Sequence, residues 1–385
     1  MTIYELTTLC RLARAPGLDG HTLRRALEAV GSCDALLACD ALTLARVGCR
    51  PATVQALLRG VTEERLEADL AAIEQGGWTV LAAHDPRYPA TLLEIAKPPA
   101  ILFVAGDPAV LARPQLAIVG SRHPTANGRI TARDFACHFA SLGLVITSGL
   151  ALGIDAASHG GALSARGGLT VAVCGTGLDL CYPPANRSLA ERIIAAGGAL
   201  LSEFPPGTPP WPAHFPQRNR LISGLALGVL VVEAAARSGS LATARCAGEQ
   251  GREVFAVPGS IHSPQSRGCH ALLRQGAVLV ECAEDVLTEL KIDQLNQLVK
   301  NPSGLSIGPS DEAARLHNPG EILLDALGFE PTGLDALIAS TGLSSSSVAS
   351  LLLALELEGR VASDSAGRYF RLAGLPEPGA ERTDS

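Results

Sequence analysis

Apolar positions in residues 1 to about 75 recur at helical spacing, with short glycine or polar breaks between brief segments. Leu18-Asp19-Gly20-His21 precedes the run Thr22 to Val30, and Val47-Gly48-Cys49-Arg50-Pro51 precedes Ala52 to Leu58. From Trp78 onward the texture changes. Strand-like apolar runs follow one another at Leu116–Val119, Leu144–Thr147, Leu169–Cys174, Ala199–Ser202, Val229–Glu233, Val254–Val257 and Ala277–Glu281. Helical patterns lie between them, at Arg129–Leu142, Ala156–Ala165, Arg187–Ala196, Leu241–Gln250 and Ala271–Gln275. This alternation predicts crossover units and a mostly parallel, doubly wound α/β sheet. Near-continuous apolar strands such as Gly228-Val229-Leu230-Val231-Val232 suit a sheet covered on both faces.

The two ends of the chain read differently. Glycine turns between short helices in residues 1–75 suggest a helix-hairpin-helix or SAM-like module. A bundle used for packing or protein contact fits at least as well as a DNA-binding one, and the acidic run Thr62 to Glu74 leans toward packing. Beyond residue 290, an Asn-, Pro-, Ser- and Gly-containing stretch (roughly Asn301 to Pro319) reads as a linker. It leads to helices predicted at Glu321–Leu327, Leu334–Ser340 and Ser345–Glu358, then a hairpin from Gly359-Arg360-Val361 and Arg368-Tyr369-Phe370-Arg371. Three helices and a two-stranded wing make a winged helix, with Ser344 to Ser347 capping the third helix. The expected domains are therefore 1–75 (helical), 76–290 (Rossmann-like sheet), 291–317 (linker), 318–375 (winged helix) and 376–385 (a Pro-, Glu- and Gly-containing tail expected to be disordered).

Length supports this division, since 385 residues exceed one small core. Aromatic residues make up only 4%, so the core must be mainly aliphatic. The net charge of −7 argues at first against a nucleic-acid partner, but it is unevenly spread. Residues 113–290 hold 14 Arg and no Lys against 12 acidic residues, a net of +2, whereas residues 318–385 hold 4 Arg against 10, a net of −6. An anion site therefore belongs to the middle of the chain. The third helix of the winged unit carries Glu356 and Glu358 and no Arg or Lys, which favours protein contact over reading a DNA groove. The ten cysteines include no Cys-x-x-Cys pair and several sit in apolar runs, so neither a zinc site nor a disulfide framework is expected. With no signal-like start and no apolar stretch long enough to span a bilayer, a cytoplasmic chain is expected.

The candidate chemistry lies where strands hand over to helices. Val119-Gly120-Ser121-Arg122 ends the first of these strands; glycine admits backbone amides to a phosphate and Arg122 can clamp it. Phe215-Pro216-Gln217-Arg218-Asn219-Arg220 opens an apolar helix after a Pro-rich loop and sets two guanidinium groups near a helix start. Such a cluster calls for an anion or an acidic partner. Glu203 or Glu233 can serve one of the arginines as that partner. Phe215 reads equally as core or as a stacking platform. Ser238-Gly239-Ser240 makes a further hydroxyl-rich turn, suited to a phosphate or to simple capping. Asn186 and Arg187 can contact nucleic acid at the start of their helix. Asp155 reads as a helix cap and His159 as a helix-face residue. Gly175-Thr176-Gly177-Leu178-Asp179 resembles the start of a dinucleotide fingerprint, but Leu180 takes the third glycine's place and no helix follows at once, which excludes NAD. No nucleophile and base are paired nearby, so no catalytic residue, metal or cofactor is assigned.

In order along the chain, Val119–Arg122, Ser148-Gly149-Leu150-Ala151-Leu152-Gly153-Ile154-Asp155, Gly175–Asp179 with Tyr182-Pro183, Leu201-Ser202-Glu203, Phe215–Arg220, Ser238-Gly239-Ser240-Leu241 and Gly251-Arg252-Glu253-Val254-Phe255-Ala256-Val257-Pro258-Gly259 resemble the DNA-processing protein A family (DprA, also called Smf). The resemblance is dense over residues 78 to 290 and looser at the two ends. It implies a cytoplasmic, non-catalytic, usually homodimeric protein that binds single-stranded DNA, protects it on entry and loads RecA recombinase onto it in natural transformation. On this sequence the strand would lie over Gly120, Ser121, Arg122, Asn186, Phe215, Arg218, Asn219 and Arg220. Where many relatives place a lysine after Tyr-Pro, this chain has Pro184, and Arg187 stands as its replacement. The final strand reads as an edge strand that a second copy would cover, with His270, Leu273 and Leu279 as candidate contacts. The rival is a phosphoribohydrolase-like enzyme, whose Pro-Gly-Gly-x-Gly-Thr-x-x-Glu loop has no counterpart glutamate in Ser238 to Ala244. A pure interaction scaffold would leave the arginine cluster unexplained.

Overall fold

The computed structural model describes residues 2–291, 323–324, 326–327, 331–364 and 367–372. They fall into two compact units, the first formed by residues up to Pro124 together with Ala132–Leu290. The expected linker (apart from Lys291), the expected tail and residues 321, 322 and 325 of the helix expected at Glu321–Leu327 lie outside the described residues, while the other four residues of that helix are helical.

The chain starts with six helices: α1 (Ile3–Ala13), α2 (Gly20–Val30), α3 (Cys33–Leu37), α4 (Ala41–Arg46), α5 (Pro51–Arg59) and α6 (Glu63–Gly76). Five of them begin on a side chain that accepts a hydrogen bond from the backbone three residues on: Thr2, Asp19, Ser32, Asp40 and Thr62. Each such cap satisfies a helix-start N–H that would otherwise lack a partner, a contribution of about 1 kcal/mol. Leu12, Leu23, Leu36, Leu44 and Leu66 close the interior. Asp69 of α6 is fully buried and takes Arg14 in a fork, at 2.5 Å from Nε and 2.6 Å from Nη2, with Arg65 Nη2 at 3.0 Å. Both arginines also donate to the carbonyl of Pro206, far along the chain. The acidic run read as a packing helix is thus α6, and it grips the loop that leads into the sheet's site helix.

The sheet elements are β1 (Thr79–Ala82), α7 (Ala90–Leu93), β2 (Ile101–Gly106), β3 (Gln115–Val119), α8 (Ala126–Ser141), β4 (Val145–Ser148), α9 (Ile154–Ala162), β5 (Thr170–Val173), α10 (Arg187–Ala195), β6 (Ala199–Ser202), α11 (His214–Leu225), β7 (Gly228–Val231), α12 (Ser240–Glu249), β8 (Glu253–Ala256), α13 (Arg267–Arg274), β9 (Val278–Leu279) and α14 (Ala283–Glu289). The strand order is β1-β2-β6-β5-β4-β3-β7-β8-β9. From β6 to β9 every neighbouring pair is parallel, while β1–β2 and β2–β6 are antiparallel. The expected mostly parallel, doubly wound sheet is therefore present, extended by two antiparallel strands that lie outside the seven expected. Residues of β3 to β7 are buried throughout, as a two-sided cover requires. The last strand is shorter than expected, and its helix starts at Arg267 rather than Ala271.

In the second unit, α15 (Leu334–Thr341), α16 (Ser345–Leu357) and the hairpin β10 (Val361–Ser363) with β11 (Tyr369–Arg371) form a winged helix. Its core gathers Leu323, Leu324, Leu327, Leu337, Val348, Leu352 and Val361. Ser344 caps α16 through the N–H of Ser347 at 3.2 Å, as the serine run predicts.

Candidate anion-binding cleft

The chain runs from β3 outward through β4, β5 and β6, then returns to place β7 on the other side of β3. Connections leave β3 and β7 in opposite directions, so a crevice opens beyond their carboxyl ends, the usual ligand position in such sheets. A cleft of about 720 Å³ lies there. It is lined by Gly120, Ser121 and Arg122 after β3, by Phe215, Arg218 and Asn219 of α11, and by Ser238 and Ser240 at the start of α12. Eight of the eleven expected DNA-contact residues thus meet around one cavity.

Close backbone approach builds the turn. Gly153 has φ +82°, and a side chain there would collide with the backbone of Ser121 and Arg122. Ser121 is itself occupied structurally: its N–H donates to Glu233 O at 2.7 Å and its Oγ accepts from His123 N at 3.1 Å. Arg122 points outward, exposed, with its guanidinium carbon 5.7 Å from the centre of the Phe215 ring. No carboxylate pairs with it among the described residues.

Phe215 is half-buried and lies over Gly175, where an added Cβ would sit 3.0 Å from the ring. Tyr182 stands beside it, with ring centres 5.5 Å apart and the rings tilted by 42°. Phe215 thus both packs on the backbone at Gly175 and lines the cleft. Tyr182 lines the cleft although the sequence reading did not place it among the candidate contacts; its signal was its place shortly after Gly175–Asp179. Arg237, exposed on the cleft wall just before Ser238, was also missed.

Arg218 is not a free clamp. It is buried, and its Nη1 donates to the carbonyls of Gly149, at 2.6 Å, and Val173. Burial pushes its pKa down while the Asp155 charge opposes that shift. Asp155 shows the mirror image, raised by burial and held back by Arg218. Rather than capping its helix, Asp155 accepts from the N–H groups of Gly149 (3.1 Å) and Ala151 (3.3 Å), shaping the loop before α9. His159 is buried against Thr170 Oγ1 at 2.7 Å, and burial drives its pKa down to about 3, so it stays neutral.

Three expected contacts lie elsewhere. Asn186 is buried and spends its amide on the carbonyls of Leu150 (2.8 Å) and Ala151 (3.2 Å). Arg220 pairs with Glu203, donates to Lys97 O at 2.6 Å, and does not line the cleft. Its charge answers a buried acid, whose pKa burial raises and Arg220 lowers. Arg187 is exposed at the first position of α10, outside the cleft lining. The other members sit where expected: Asn219 donates to Gly239 O at 3.4 Å, and the Ser238 and Ser240 hydroxyls share a hydrogen bond of 2.7 Å. At the far edge, β9 is the last strand of the sheet. Leu279 is 47% exposed, Leu273 is half-buried, and His270 Nε2 lies 2.9 Å from Gly259 O.

A doubly wound sheet with arginines, hydroxyls, an aromatic pair and helix starts around its switch point makes a Rossmann-like domain, here joined to a helical front and a winged helix. The chain belongs to the DNA recombination-mediator protein A family, whose model matches residues 79–291, and a DprA winged helix domain model matches residues 309–367. It is 42% identical over 333 residues to Protein Smf of Escherichia coli (strain K12), covering 86% of this chain and 87% of that protein. It is 47% identical over 207 residues to the DNA processing protein DprA of Streptococcus pneumoniae, covering 54% and 72%. The X-ray structure of S. pneumoniae DprA superposes with a TM-score of 0.63 at 39% identity, over 75% of this chain and 98% of that one. A structure of DNA processing protein A from Helicobacter pylori, described for its single-stranded DNA binding mode, gives a TM-score of 0.51 at 30% identity, over 56% and 96%.

Proposed function

We propose that this chain binds single-stranded DNA in the switch-point cleft and hands it to RecA recombinase, protecting DNA taken up in natural transformation. One observation carries the reading: Arg122, with no acidic partner among the described residues, stands beside the Phe215–Tyr182 pair at the edge of the cleft. A cation next to a stacking surface matches phosphate beside base, with no demand on base identity. The H. pylori relative, described for its single-stranded DNA binding mode, and the S. pneumoniae DNA processing protein support the DNA-binding part of this reading.

In this proposal the contacts are Gly120, Ser121, Arg122, Phe215, Asn219, Ser238 and Ser240, with Arg218 shaping the floor and Arg187 as an outlying cation. The protein acts in the cytoplasm without cofactor or metal, as a homodimer joined near His270, Leu273 and Leu279. The winged helix contacts protein, since Leu353 and Leu357 stand exposed one turn apart on α16, which carries no basic residue. The division at 1–75, 76–290, 291–317, 318–375 and 376–385 belongs to the same reading.

The enzyme alternative has one foothold, the raised pKa of Asp155 in the cleft wall. That carboxylate is already taken up by two backbone N–H groups, which argues for structure. The deciding experiment is a salt-titrated binding curve on single- and double-stranded oligonucleotides, run beside an assay for free base released from nucleoside monophosphates. Preferential single-strand binding with no base release is expected; base release without binding would reverse the assignment.

A further inference from the structure

We infer that Trp211 is a second base-stacking platform, held beside the cleft by a loop that the helical front braces. The inference rests on the single-stranded DNA reading above and extends the site beyond Phe215.

A single exposed hydrophobic side chain is ordinary on a protein surface. Trp211 is set apart by how it is held and what surrounds it. The indole is 60% exposed, yet its ring leans on a stacked pair. Its centre lies 5.3 Å from His214, whose ring stacks on Phe204 at 4.2 Å. The backbone is fixed as well. Pro209, Pro210 and Pro212 restrict φ around it, and Trp211 N donates to Pro209 O at 3.0 Å while Trp211 O accepts from His214 N at 3.0 Å.

The preceding residues are pinned from two directions. Arg14 and Arg65 of the helical front both donate to Pro206 O. Both carboxylate oxygens of Asp179 lie 2.9 Å from Gly207 N, and Gly177 N donates to Thr208 O at 3.0 Å. A loop held at this many points loses little further entropy when a ligand docks, which is what a pre-organised platform needs.

Place and charge name the occupant. Pro210 and Pro212, on either side of Trp211, line the cleft wall together with Arg122 and Arg237. An exposed indole beside a cleft whose wall carries the exposed Arg122 and Arg237 fits a nucleobase whose own phosphate lies among those arginines.

Intrinsic fluorescence tests this directly, because the chain has only two tryptophans and the other, Trp78, packs half-buried against the core. Titrating the full-length protein with oligo-dT should quench emission, and Trp211→Ala should abolish the quench and weaken binding roughly 5- to 150-fold. Trp211→Phe should recover most of the affinity. Melting curves of both variants should match wild type, since the position is exposed, and the wild-type quench needs no variant at all. Tight binding with unchanged wild-type emission and an unchanged Kd for Trp211→Ala would overturn the inference while leaving the function intact. So would light scattering in which Trp211→Ala disrupts self-association but not oligonucleotide binding. Failure of wild type to bind any oligonucleotide would instead remove the functional reading beneath it.

Discussion

In the helical front, Arg14 and Arg65 close on the buried carboxylate of Asp69, and five helix starts are sealed by their own capping side chains. Around the cleft, Arg122 and Arg237 stand exposed without an acidic partner among the described residues. The cap positions of α9, α11 and α12 are Gly153, Ala213 and Gly239, which have no side chain able to bond. The Ser238 hydroxyl, which accepts from Ser240 N at 3.3 Å, is a partial exception. The same residue types thus serve opposite ends. Where positive charge and helix starts are satisfied internally they hold the fold, and where they are left open they favour an anion.

The largest expected effect lies on the satisfied side. Asp69→Asn would leave two arginines facing each other without their acid, and breaking a buried pair of this kind costs about 3–5 kcal/mol. Chemical denaturation should show that loss, and a change below about 1 kcal/mol would mean the clamp is solvated and the contrast with the cleft is false. On the open side, Phe215→Ala should weaken oligonucleotide binding by about 1–3 kcal/mol. Because the ring also covers Gly175, its melting temperature is the control, and a large drop there would mark Phe215 as core.

Arg122 and Arg220 give the sharpest pairing, since they come from two motifs that sequence reasoning treated as equivalent. Arg122→Ala should leave thermal stability unchanged and lower the salt slope of single-strand binding by about 0.7. Arg220→Ala should do the reverse, destabilising the fold by stranding Glu203 while the slope stays put. Equal slopes for wild type and Arg122→Ala would remove the proposed phosphate contact.

Why one arginine was legible and the other was not is a matter of what a sequence encodes locally. Strand-to-helix handover follows from apolar runs and turn residues, so the sheet, the cleft's position and most of its lining could be read in advance. Partner choice depends on side-chain direction. Arg218, Asn219 and Arg220 are adjacent in sequence but point to three surroundings on one helix, because successive residues turn by about 100°. Arg220 consequently meets Glu203, which the sequence had offered as one of two acids for some arginine. Asn186 failed for a related reason: an amide near a helix start looks like a ligand contact until the Leu150 carbonyl appears beside it. The strands β1 and β2 were overlooked because they are antiparallel additions outside the strand-helix rhythm that revealed the rest.

The smallest expected effect concerns the unit furthest in charge from the cleft. Residues 318–385 carry a net of −6 against +2 for residues 113–290, and α16 presents Leu353 and Leu357, 60% and 82% exposed, instead of basic side chains. Acidic and apolar surface repels or ignores a phosphate backbone, and an exposed apolar stripe one turn apart is the form in which helices meet protein grooves. Removing residues 318–385 should therefore change oligonucleotide affinity by less than about twofold, within the scatter expected of a surface that makes no phosphate contact. Melting of the remaining domain, whose core residues all lie before Leu290, confirms that it is folded before the affinity is read. A marked loss of binding in a folded truncation would show that the acidic unit takes part in holding DNA. A marked gain would show that its charge opposes the strand in the intact chain. Either result would break the proposed division between a cationic binding cleft and an acidic unit for protein contact.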